Sequence, residues 1–485
     1  MLQSINNRVP QCECKYRNPQ VDTMAAETGQ SPRPLDLAII GGGISGITLA
    51  IALYKRGVSC TVYEAASELT GIRGAVPISC NALRAMEQVD RCVLGAYNLA
   101  STRNQSVSKR DVWCDFVDGM SPQPATHLEP LFSILGAENV AHNVVSCTRF
   151  LDELVRLLPR DTVRFEKELK HVLDDRIGSG KMLMKFGDGS VAEADAIIGC
   201  DGVRSRTRAI MVGEDHPAAM ASYTHKYAYR GLVPMSQASL ALGTERAMNA
   251  TCWLGKNRHC MTFPVDQGQN MSFLAFATND REGWPSDKTQ CLSTTKAEAL
   301  DDFRAFGPNV KHIIKLATGD FERWAIFDLS DYTLSSYFKD RICLLGEAAH
   351  GSSPHHEAGA SLCIEDAAVL ASLLSIPEIK GTETLEKVFA AYDANRRERT
   401  QWHVKSSRRA GNLVEYLTKD VGKDIGKMEK ELNERLNHIW NFDIEDSIRE
   451  ATKDLQRRLS VPGLHKYDSQ KMPWFLNEHN GLETQ

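Results

Sequence analysis

Apolar residues along the chain recur with two spacings, one of strands and one of helices. LDLAII (residues 35–40) is an apolar run around a single Asp, the signature of a strand buried on both faces. A glycine turn breaks it, and ISGITLAIALYKRG then reads as a helix ending at Gly57. VSCTVYE (58–64) is β-branched and predicts a second strand. Right-handed crossover sets the two strands side by side in a parallel sheet. DELVRLLP (152–159) has helical spacing, whereas TVRFEKEL, KMLMKFGDGS and EADAIIGCDG alternate as strands, with Asp188-Gly189 as a hairpin signal. Between Tyr223 and Asp280 the runs KYAYRGLVP, NATCWLG, HCMTFPV and MSFLAFAT predict a separate sheet. RICLLGEAAH (341–350) is one more buried strand, running into a turn and the helix SLCIEDAAVLASLL. From about Thr382 the pattern is helical and charge-rich to the end.

These elements divide the chain. Residues 1–34 are polar and proline-punctuated and read as a flexible extension. Residues 35–210 and 326–376 form two parts of an α/β, Rossmann-type domain. Residues 211–325 form an inserted mixed-sheet domain, and 377–485 a helical C-terminal region. A length of 485 residues fits such a multi-domain plan. With 42% hydrophobic and 25% charged residues the mixture is that of a globular protein.

Charge narrows the partners. A net charge of −5 argues against nucleic acid, whose phosphates demand a basic surface. The basic cluster Arg396, Arg397, Arg399, Lys405, Arg408 and Arg409 is expected to be a solvated helix face. Thirteen cysteines are scattered without a CxxC pair, which predicts reduced thiols in the cytoplasm rather than a disulfide framework. Residues 1–34 hold no apolar run of signal-peptide length. The stretch Leu35–Leu53 carries four glycines and an Asp, so it reads as strand, turn and helix, with no stable membrane insertion.

The chemistry begins at Gly41-x-Gly43-x-x-Gly46. Gly41 permits the tight turn, Gly43 lets a pyrophosphate approach the backbone, and Gly46 lets helix and strand pack closely. Phosphates then lie at the helix N-terminus, where free N–H groups and the dipole favour negative charge. Glu64, 18 residues beyond Gly46, ends the second strand, placed to accept from an adenosine ribose. This fingerprint indicates a dinucleotide and does not distinguish FAD from NAD.

Two later motifs make that distinction. Asp201-Gly202-x-x-Ser205-x-x-Arg208 follows the strand AIIGC. Gly346-Glu347-Ala348-Ala349-His350, then Pro354 and Ala358-Gly359-Ala360, leads into a helix. With these three ordered motifs the sequence resembles the single-component FAD-dependent aromatic hydroxylases, the group of salicylate and para-hydroxybenzoate hydroxylases. The likeness covers about residues 35–415 and is closest to the fungal hydroxylases of phenolic polyketides. The resemblance implies FAD as cofactor, NAD(P)H as transient co-substrate, O2, and a small aromatic or polyketide substrate. It implies that Asp201 and Gly202 support FAD, that Glu347 holds the ribitol, and that the helix opening at Gly359 and Ala360 faces the flavin. It also implies that Arg230, in YAYRG, anchors the substrate; no Asp/Glu ligand pattern accompanies the histidines, so no metal is expected. His350, His355 and His356 are then expected to support the turn or line the flavin site, and Trp324 and Phe327 to pack in a core.

The resemblance has departures. Glu347 stands where the family has Asp. Glu357 stands where a small Gly is usual, which places a carboxylate near the flavin or at the cap of the following helix. Arg73-Gly74-Ala75 replaces Gly-Ala-Gly. The family's flavin-contacting Arg falls on Ser146, with Arg149 as a candidate substitute. A Tyr that partners the substrate-anchoring Arg is Phe263 here. The expected function is NAD(P)H- and O2-dependent hydroxylation of a phenolic or polyketide-derived ring. The altered positions leave oxidation or a non-oxygenating role as the alternative.

Overall fold

The computed structural model describes residues 35–69, 74–175, 179–279, 283–286 and 289–461. The expected extension over 1–34 and the departure at Arg73 lie outside them.

The opening strand Asp36–Ile40 pairs in parallel with Ser59–Tyr63 on one side and Ala196–Gly199 on the other. Ile342–Leu344 joins Ala196–Gly199 in parallel, and the sheet reaches six strands with Phe338–Lys339 and Val163–Arg164 at its edges. Leu37–Ile40, Ala196–Gly199 and Ile342–Leu344 are apolar and buried because both faces of the sheet are covered there. Helix Ile44–Lys55 packs against helix Gly359–Leu374, which is buried along most of its length. The Asp188-Gly189 turn does close a hairpin, Met182–Phe186 against Val191–Ala194.

The second body is an eight-stranded sheet centred on Ser222–Pro234, which runs antiparallel to Asn270–Thr278 and Thr318–Asp328. It also takes in Val112–Asp118 and Phe132–Leu135, which precede residue 211, because Thr251–Leu254 pairs in parallel with Asp115–Asp118. Pairing across such a separation leaves no local pattern in the sequence.

Strand alternation sorts the central strand between two environments. Tyr227 and Tyr229 enter an apolar cluster with Val310 and Ile313 of helix Pro308–Leu316. Their hydroxyls both donate to Asp302 Oδ2, at 2.6 and 2.7 Å. Ala228 and Arg230 face the opposite way, into a cavity between the two sheets. The C-terminal helices Leu385–Val414 and Ile425–Trp440 close that side with Val414, Leu432 and Leu436. Among the described residues no helix is long and apolar enough to cross a membrane.

Candidate active site

One cavity of about 1170 Å³ runs from the glycine turn to the large sheet. At its first end the glycines have separate tasks. Gly41 has φ +106°, and a Cβ there would sit 2.5 Å from the carbonyl oxygen of Cys200. A Cβ on Gly46 would sit 2.0 Å from the Gly41 oxygen, so helix and turn touch through backbone alone. Gly43 is different: a Cβ there meets nothing within 4 Å, because the residue fronts the cavity. Gly43 is also the N-cap of helix Ile44–Lys55 and offers no side-chain cap, which leaves the first N–H groups open to an anion. Glu64 lines the same end and accepts from the N–H of Gly42 at 2.6 Å and of Ala66 at 2.8 Å. Those bonds hold the carboxylate in place and leave lone pairs for a hydroxyl.

The second and third motifs meet through a buried arginine. Asp201 closes its own turn, accepting from Ser205 Oγ, Thr207 N–H and Thr207 Oγ1. Gly202 follows at φ +78°, a conformation that favours glycine. Arg208 is fully buried and donates to four carbonyls: Val203, Ala218, Ala219 and, in the third motif, Ala348. Burial lowers its pKa to about 10 against the pull of Asp201, so it stays charged at neutral pH. Gly346 has φ +66° and is packed so closely that a Cβ would lie 2.4 Å from Ser45 Oγ.

Glu347 projects into the cavity. Among the described residues no group donates a hydrogen bond to its carboxylate, and burial raises its pKa. Gly359 and Ala360 bring the uncapped N-terminus of helix Gly359–Leu374 to the same wall. Behind it, His350 hydrogen-bonds Asp366 at 2.6 Å, and Asp366 and Glu365 are paired with Arg396 and Arg399. This corrects the expectation of a solvated basic face. Arg396 is fully buried, and Arg408 and Arg409 are bound to Asp328, Asp331, Asp420 and Glu431.

At the far end Arg230 lies with its guanidinium 4.8 Å over the ring of Trp324. A Cβ on Gly74 would overlap Arg230 Nη2, so the guanidinium reaches the backbone just before the short strand Ala75–Pro77. Burial lowers its pKa, with Glu322 across the strand pair opposing. Trp324 thus lines the cavity as a cation–π partner, not only as core; the sequence hid this because the two residues are diagonal neighbours on strands far apart in the chain. Phe263 is fully buried beside the ring of His142. Ser146 caps helix Cys147–Val155 through Arg149 N–H, and Arg149 itself is exposed and outside the cavity wall. Arg149 therefore does not take the place of the family's Arg.

Three arrangements had no signal in the sequence. Both ring nitrogens of His355 are buried without a partner among the described residues, and burial holds its pKa well below the usual range. Its ring lies edge-on to His259, whose Nδ1 is 2.9 Å from Glu415; Glu415 also binds Lys226 and Thr278. Glu357, at φ 55°, does not cap the following helix; its Oε2 lies 3.2 Å from Nε2 of the buried His142. Leu432 and Leu436, one turn apart on helix Ile425–Trp440, complete the apolar wall.

The open floor at Gly43, two uncapped helix N-termini and the unpartnered Glu347 fit a dinucleotide with a polyhydroxyl chain. The comparisons agree. The FAD binding domain family matches residues 35–407. The FAD-dependent monooxygenase pigN of Monascus ruber is 40% identical over 443 residues, covering 90% of this chain and all of that protein. Salicylate hydroxylase asL1 of Sarocladium schorii is 32% identical, covering 88% of this chain and 92% of that one. A solved salicylate hydroxylase substrate complex superposes with a TM-score of 0.75 at 27% identity, over 86% of this chain and 98% of that one.

Proposed function

The chain belongs to the FAD binding domain family and is an FAD-dependent monooxygenase, and from that premise we propose that it hydroxylates a phenolic or polyketide-derived ring with NAD(P)H and O2, in secondary metabolism. In this reading Gly41, Gly43, Gly46 and Glu64 hold the adenosine and pyrophosphate of FAD. Asp201, Gly202, Gly346 and Glu347 hold its middle, and Gly359 and Ala360 face the ring system. Bound FAD, once reduced, supplies the activation of O2, of which one atom enters the ring and the other leaves as water.

The observation that carries the reading is Arg230, a half-buried cation in the same cavity as Gly43, Asp201 and Glu347. A phenol of pKa near 10 is mostly neutral at pH 7 and is a poorer nucleophile than its phenolate. A guanidinium remains charged, and a fixed cation lowers the pKa of a hydroxyl placed against it. Trp324 under the guanidinium limits its rotation, so the phenolate oxygen is oriented as well as ionised.

The test is product analysis with a panel of phenolic aldehydes, NADPH and isotopically labelled O2. The reading predicts a hydroxylated ring carrying one labelled atom. NADPH consumption without a hydroxylated product would instead favour the alternative of a drifted oxidase.

A further inference from the structure

We propose that Glu357 selects the substrate: its carboxylate, held by His142, accepts a hydrogen bond from a second ring hydroxyl and turns away aromatic carboxylates. This rests on the phenolic reading above and narrows it to polyhydroxylated rings that carry no carboxylate.

Three observations carry it. Glu357 sits at φ 55°, in the left-handed region that favours glycine, yet the chain keeps a long charged side chain there. Such a backbone costs energy and persists where the side chain is fixed by its surroundings. What fixes it is His142, whose ring is 1% exposed, lies 5.1 Å from that of Trp113 and 5.4 Å from that of Phe263, and presents Nε2 to Glu357 Oε2 at 3.2 Å. Third, Glu357 rather than His142 reaches the cavity, and His142 is the one side chain among the described residues that bonds its carboxylate.

Trp113, Phe116, Cys252 and Phe263 give the same cavity apolar lining. Water can donate to a carboxylate oxygen facing such a space until a ring displaces it, and from then on the donor must come from the ligand. A hydroxyl supplies one. A ligand carboxylate supplies none and adds a like charge in a medium that screens poorly. With Arg230 on the same cavity, the site suits a ring that is an oxyanion at one hydroxyl and a donor at another.

The experiment is equilibrium dialysis of the FAD-loaded protein without NAD(P)H, so that nothing turns over. The probes are β-resorcylaldehyde, its matched carboxylic acid β-resorcylic acid, and salicylaldehyde, which lacks the second hydroxyl. The variants are Glu357→Gln and Glu357→Gly, the latter suited to the left-handed backbone; flavin absorbance and thermal midpoint verify their folding. Wild type is expected to prefer β-resorcylaldehyde over both other probes, and the preference over the acid to fall roughly tenfold in both variants. An unchanged preference, with the aldehyde still binding, would overturn the proposal and leave the phenolic reading standing. Failure of wild type to bind any of the three rings would overturn both.

Discussion

Arg208 donates from Nη1 to the carbonyl oxygen of Ala348, 2.9 Å away, and so ties the second cofactor motif to the third across 140 residues. The same guanidinium holds the carbonyls of Val203, Ala218 and Ala219. The arginine of this motif is therefore a staple between two backbone segments, and it acts on the cofactor site by fixing the wall it is built from.

Replacing Arg208 with Met removes that staple and leaves four buried carbonyls short of a donor. Each such loss costs about 1–3 kcal/mol, softened by water and relaxation, so a net destabilisation on the order of 3 kcal/mol is expected. Chemical denaturation measures it. FAD occupancy should fall with it, whereas a variant as stable as wild type would show that the four bonds contribute little.

At Gly43 stability and cofactor binding should separate. The backbone there, at φ −73° and ψ −175°, suits alanine, and the added methyl meets no protein atom. Gly43→Ala should keep the thermal midpoint of the FAD-free wild type and lose FAD, because the methyl intrudes where the pyrophosphate approaches. Glu64→Ala should lose FAD as well, with a stability cost of about 1–3 kcal/mol from the freed N–H groups of Gly42 and Ala66. Absorbance of the purified proteins reads occupancy directly, and full flavin content in both variants contradicts the placement.

The buried Glu415 makes stability depend on acid. Burial alone would raise its pKa, but the bond from His259 and the charge of Lys226 outweigh that and hold it at about 2. A carboxylate depressed in the folded state stabilises above its unfolded pKa, near 4.5, and that stability is lost as pH falls toward the folded value. His259, whose pKa is lowered by burial, adds a loss in the same direction below about 6.5. Denaturation curves between pH 7 and 4 should therefore show stability falling with acid. Glu415→Gln should be less stable at pH 7, by on the order of 3 kcal/mol, with a flatter slope. An equal slope in the variant would place the acid sensitivity elsewhere.

The sequence disclosed what is encoded over short distances. The strand–glycine–helix opening, the hairpin at Asp188-Gly189 and the helix after Ala358 are set by periodicity and by glycines whose φ is positive or whose Cβ would clash. Alternation also put Arg230 and Tyr229 on opposite faces, although only the structure shows which face meets the cavity. The pairs that shape the far end were out of reach. His142 meets Glu357 across 215 residues, and Glu415 meets His259 across 156. Arg396 was misread for a related reason: helix spacing gives the angle between side chains but not what covers each face. Here Asp366 and Glu365 from another helix cover it.

The most direct test of the account is hydroxylation by Arg230→Gln, measured against pH with NADPH and a phenolic aldehyde. Glutamine keeps hydrogen-bonding capacity but removes the charge, so FAD absorbance should be retained. Product formation at pH 7 should fall by about 100-fold, the scale of losing one charged contact to a developing phenolate. The deficit should shrink as pH rises past the pKa of the free phenol, where the substrate arrives ionised. Undiminished product formation by Arg230→Gln at neutral pH would contradict the account, because some group other than Arg230 would then be ionising and holding the substrate.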